Sequence, residues 1–156
     1  MDTYLLVKTL HIISATVLFG TGLGIAFFCL MGLRDPDLAA RLFATRVTVV
    51  ADTLFTAPAV VLQPITGAWL IVHAGFVWND FWLLATYALY LLAGLCWLPV
   101  VVIQIRLRDL VRRRAAGGAI DDARTRRLFR WWFALGWPAF TSLVVIFYLM
   151  VAKPSW

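Results

Sequence analysis

Two imidazoles are the side chains best suited here to hold a metal. His11 and His73 are the only histidines in the chain. Neutral imidazole is a good axial ligand for haem iron. A pair on neighbouring helices could hold one b-type haem between them, with both rings as axial ligands. Lys8, one helical turn before His11, is placed to meet a haem propionate. The plainer reading is that each histidine is a hydrogen-bonded packing residue, and His73 also suits the membrane interface.

Other chemistries find little footing. The chain has no Glu, so paired-glutamate metal sites are excluded. No Ser or Cys has a visible His–Asp partner of the kind a nucleophile needs. No phosphate-cradling glycine loop follows a strand. Met1, Met31 and Met150 are scattered, and Cys29 and Cys96 form no CxxC, so a copper site is weakly signalled. Both cysteines read as small buried apolar residues.

Further polar residues fall at helical spacing inside apolar sequence. Asp52, Thr56, Ala59, Gln63, Thr66, Leu70 and His73 follow steps of four and three, which keeps them on one helix face. A second line runs through Tyr87, Tyr90, Gly94, Trp97 and Gln104, with Thr86 beside it. A third runs through Arg130, Ala134, Trp137, Thr141 and Tyr148. Polar faces in a membrane turn towards the bundle interior, and three of them can converge on one site. The alternative is interhelical hydrogen bonding with no ligand. Asp52 is expected to pair with one of Arg46, Arg106, Arg127 or Arg130, with a proton relay as the sharper reading.

The elements that must position these residues are four apolar blocks, at about 4–31, 47–73, 81–105 and 129–152. Each exceeds the roughly 20 residues that cross about 30 Å of hydrocarbon. No irregular backbone can face lipid, so each block reads as a helix. The fold class is all-α: a four-helix transmembrane bundle with antiparallel neighbours, one integral membrane domain over 1–156. With 63% hydrophobic and 14% charged residues, the chain is far from a soluble composition.

Arginines crowd the first loop and the basic loop at 106–128, while the second loop, around Phe76 to Asp80, has no Lys or Arg. Basic loops stay cytoplasmic, so both termini are expected outside. This bias accounts for the net charge of +6 without nucleic-acid binding. The arginine cluster is expected to attract anionic lipid headgroups. Trp78, Trp82, Trp131, Trp132 and Trp156 read as interfacial belts. The opening residues lack the basic region and cleavage site of a signal peptide. The third helix is expected to run on through Arg106 to Arg114 and break at Gly117-Gly118, with Asp121 or Asp122 capping the next helix. Pro58, Pro64, Pro99 and Pro138 lie inside spans and are expected to kink them. Thr16, Gly20 and Gly24 form a small-residue stripe suited to close helix packing. Gly22 lies off that stripe.

The sequence resembles an uncharacterised bacterial family of small integral membrane proteins, domain of unknown function 2269, over nearly its whole length. The landmarks are Tyr4-Leu5-Leu6-Val7-Lys8-Thr9-Leu10-His11-Ile12, the helix from Pro58 to Gly67-Ala68-Trp69, Arg130-Trp131-Trp132-Phe133, and Ala152-Lys153-Pro154. More distantly it resembles the four-helix membrane protoporphyrinogen oxidases and the copper-resistance D membrane proteins. The oxidases share the Lys-x-x-His-Ile opening, and that likeness implies a haem b role for His11. Two departures matter. Thr86 stands where the oxidases carry an essential lysine, and Leu135-Gly136-Trp137-Pro138 replaces their Asn-Glu-x-Pro. The resemblance therefore carries over the scaffold and the haem, and not porphyrinogen oxidation.

These readings predict a membrane haem-b protein of the cytochrome b type, with a redox or electron-transfer role in the bacterial cytoplasmic membrane. Its partners would be the bilayer and a redox partner or a second copy. The alternatives are a haem-free accessory subunit of a membrane complex, or a small oligomeric transporter.

Overall fold

The computed structural model describes residues 2–118 and 122–154. Among them every regular element is helical, and four helices are long and apolar enough to cross a membrane. Helix α1 spans Thr3–Arg34. The second crossing is compound: α2 (Leu38–Ala51), a π-helical turn at Asp52–Thr56, and α3 (Ala57–Ala74). Helix α4 spans Phe81–Ala115 and α5 spans Asp122–Ala152.

The helices outrun the apolar blocks because their ends are set by caps rather than by hydropathy. The Asp2 side chain accepts from the Tyr4 amide, and the Asp37 side chain accepts from the Ala39 amide, each at 3.0 Å. These satisfy first-turn donors that have no partner within the helix. Asp37 thus starts the second crossing nine residues before position 47, where its apolar block begins. Gly75, at φ 72°, ends α3 in the left-handed region, and Gly117, at φ 82°, does the same just beyond α4. The break at Gly117-Gly118 is as expected. Asp121 and Trp156 lie outside the described residues.

The π turn has a local cause. Pro58 has no N–H to offer the Leu54 carbonyl, and its ring crowds that turn. The chain widens by one residue just before it, and Asp52 sits at the first position of the widened turn.

Two apolar layers hold the bundle. Towards the arginine-rich end, Cys29, Val100, Ile103, Leu107 and Trp132 join α1, α4 and α5. Towards the other end, Ile71, Trp82, Leu83 and Leu149 join α3, α4 and α5. Helices α1 and α2 approach closely at Gly32, where an added Cβ would collide with the Cβ of Ala44. The Thr16, Gly20 and Gly24 stripe makes no such approach: a Cβ on either glycine would meet nothing within 4 Å. The Lys153 ammonium lies 4.5 Å from the Phe76 ring centroid and 5.9 Å from that of Trp82, tying the end of α5 to the α3–α4 turn. Helix α5 leans on α4 along its length and meets α1 only sparsely, chiefly where Phe19 stacks on Phe140 at 4.9 Å.

Candidate functional site

The face predicted on the second crossing turns inward through most of its length. Asp52, Thr56, Ala59 and Thr66 are buried, and Gln63 is half-buried. Opposite its far end, His11 projects from α1. The His11 Nδ1 lies 2.7 Å from Thr66 Oγ1. The Thr66 hydroxyl also lies 2.6 Å from the Leu62 carbonyl, which can only accept. The single hydroxyl proton therefore goes to Leu62, and Thr66 accepts from His11. That puts the ring proton on Nδ1 and leaves a lone pair on Nε2. None of the hydrogen bonds among the described residues uses this Nε2.

Two further side chains lock the ring's backbone. The Gln63 amide donates to the His11 carbonyl at 2.9 Å and to Ser14 Oγ at 2.5 Å. The Ser14 hydroxyl donates to the same carbonyl at 3.0 Å. Gly67 makes the room: a Cβ there would lie 3.4 Å from His11 Cε1. Ser14 and the cradling role of Gly67 were missed from sequence. Ser14 stands three residues from His11, on the same helix face, and that spacing was the available signal.

His73 is not brought to this site. Seven residues of helix, about 10 Å of rise, separate it from Thr66. Its ring is exposed, stacks on Trp69 at 3.5 Å, and holds the Trp69 carbonyl through Nδ1 at 2.8 Å. Trp69 in turn packs on Tyr4. Lys8 is exposed, its ammonium 5.8 Å from the Tyr4 ring centroid. Neither histidine lines either principal cavity. The structure thus holds the two rings on separate partners and brings them to no shared cavity.

The other expected residues divide. The Tyr90 hydroxyl donates to the Val60 carbonyl at 2.5 Å, binding α4 to α3. Thr86 is buried, and its hydroxyl donates within its own helix to Trp82. Asp52 forms no ion pair with a described arginine; its Oδ1 accepts from the Trp97 indole at 3.3 Å. Arg130 is exposed, as are Ala134, Trp137, Thr141 and Tyr148, so the line predicted on α5 turns outward except where Trp137 borders a cavity. The buried residues of that helix are Trp132, Ser142 and Leu149 instead. The Ser142 hydroxyl finds its partner within α5, at the Pro138 carbonyl.

The family model described as predicted integral membrane protein, DUF2269, matches residues 5–154. The chain belongs to that family. No curated protein matches it, and no solved structure does. The DUF2269 match runs from the first turns of α1 to the residue after Lys153, so it takes in the His11 cluster and all four crossings.

Proposed function

We propose that the protein binds haem b through His11 and serves a redox or electron-transfer role in a bacterial cytoplasmic membrane. The observation that carries this reading is the Thr66 bond, which fixes the ring and keeps the Nε2 lone pair available. A second bond of this kind orients metal-binding histidines and raises their basicity. Bound there, haem would supply one-electron transfer. Thr66 would hold the ring proton on Nδ1, Gln63 and Ser14 would fix the turn that carries the ring, and Gly67 would keep its place open.

Protein purified after expression with ample haem is expected to show a Soret band, and His11→Ala to abolish it. Thr66→Val should weaken haem retention about 10- to 100-fold. His73→Ala should leave the band unchanged. Absence of the band from the unaltered protein would overturn the reading.

We place the arginine-rich end in the cytoplasm with both termini outside, following the asymmetry of basic residues. A cavity of about 240 Å3 at that end is lined by Arg34, Arg41, Arg114 and Arg126, which favours anionic lipid headgroups as partners. The haem-free accessory subunit is favoured by one observation of its own: a Cβ at Gly20 or Gly24 would meet nothing within 4 Å, which leaves room there for a partner helix.

A further inference from the structure

Between the two apolar layers lies a cavity of about 310 Å3, walled by α1, the π turn, α3, α4 and α5. That volume is at the lower end of the roughly 300–1,000 Å3 typical of small-molecule sites. Gly22, Gly94 and Gly136, one from each of α1, α4 and α5, widen it, and a Cβ on any of them would meet nothing within 4 Å. Leu23, Phe133 and Trp137 line the cavity while remaining exposed. Its mouth therefore opens sideways between α1 and α5, where those helices barely touch.

The wall is apolar except in one respect. Among the described residues, three buried side-chain oxygens lack a hydrogen-bond partner: Asp52 Oδ2, Thr56 Oγ1 and Gln104 Oε1. All three residues line this one cavity, and they are only 3%, 4% and 4% exposed. The Thr56 hydroxyl neighbours the Asp52 carboxyl without the geometry of a full hydrogen bond. Leaving a buried polar group unmade costs about 1–3 kcal/mol. Three such atoms on one wall of one cavity are the mark of a missing occupant.

The chemistry of the wall selects that occupant. Two of the three oxygens, Asp52 Oδ2 and Gln104 Oε1, are acceptors that no protein donor reaches, so the occupant brings hydroxyls. Trp97, Trp132, Trp137 and Phe140 give faces and edges for a flat ring. No Lys or Arg lines the cavity, so an anionic phosphate has no counter-charge there. The sideways mouth admits an apolar tail. We propose that this cavity binds a lipid-soluble hydroquinone. One ring hydroxyl donates to Asp52 Oδ2 and accepts from Thr56, Gln104 Oε1 receives the other, and the tail leaves between α1 and α5. The site shares no residue with the His11 cluster, so it stands or falls independently of the haem reading.

The test uses the full chain in nanodiscs of zwitterionic phospholipid, titrated with a decyl-tailed benzohydroquinone. Retained ligand is measured by extraction after gel filtration. Saturable retention is expected. Gly136→Leu, at a position where a Cβ meets nothing within 4 Å, sends its side chain into the cavity and should weaken retention at least about tenfold. Asp52→Leu removes a hydrogen bond to a charged or strongly polar group and should also weaken it about tenfold. Gly20→Leu, on the lipid side and off the cavity, should change nothing. If Gly136→Leu retains the hydroquinone as well as the unaltered chain, the proposal fails. It also fails if decylbenzene, which carries the tail and no hydroxyl, competes equally, since the cavity is then only a crevice for acyl chains. Should Asp52→Leu not fold, Gly136→Leu alone decides the matter, because it deletes no interaction.

Discussion

Around His11 the polar groups close on one another, and around Asp52 they do not. The imidazole, the Thr66 and Ser14 hydroxyls and the Gln63 amide are linked to one another and to two carbonyls, through bonds of 2.5–3.0 Å. About three turns along the same crossing, Asp52 has one long bond to Trp97 and a second oxygen with none. The two clusters lie within the apolar thickness of the same bundle and use similar side chains. A complete network rigidifies the contact it spans, whereas an incomplete one is costly until something fills it. The first joins α1 to α3. The second keeps a place open.

That contrast can be broken by measuring unfolding free energy in ligand-free, haem-free protein. The largest effect is expected from Gly67→Leu, which drives the His11 ring out of its cradle and should destabilise by about 2–3 kcal/mol, as overpacking does. Gln63→Leu removes two bonds from the complete cluster. At about 0.6 kcal/mol per bond in membranes, it should cost roughly 1 kcal/mol. Asp52→Leu should have the opposite sign, raising stability by about 0.5–1 kcal/mol, because replacing an unsatisfied buried polar group by an apolar one of similar shape is neutral or stabilising. If Asp52→Leu instead destabilises as much as Gln63→Leu, the two clusters do not differ in kind. Lys153→Met, at the clamp on Phe76 and Trp82, is the smallest case, a loss of about 0.5–1 kcal/mol. It lies far from both clusters and should add to either variant without coupling.

The sequence made the second crossing legible because it carries Asp52 and Gln63, polar groups that lipid cannot solvate. Asp52, Gln63 and Thr66 follow a single face, and that face is the buried one. The line on α5 misled for a physical reason. In a membrane both the lipid and the bundle interior are apolar, so periodicity alone does not separate inward from outward. A threonine can also satisfy itself on its own helix, as Thr16 does with the Ile12 carbonyl and Thr53 with Val49, and both of these face outward. The glycines misled in the same way. The regular spacing of Gly20 and Gly24 suggested a packing seam, yet the seam within the chain is at Gly32, and Gly22 opens the cavity. Spacing identifies a surface with small side chains and says nothing of what lies across from it. Each histidine was visible as a candidate, but depth along the helix, not the count of imidazoles, decided that they part company.

The widened turn before Pro58 works as a phase adjuster in a long rod. An ordinary α-helix advances about 100° per residue, so winding Asp52–Thr56 into a regular helix with no residue removed, as Pro58→Ala would permit, would rotate everything upstream by that angle. Gln63 and Thr66 would stay in step with His11, while Asp52 would swing away from Trp97. One supernumerary amide thus lets a single rod serve two neighbours whose azimuths do not agree.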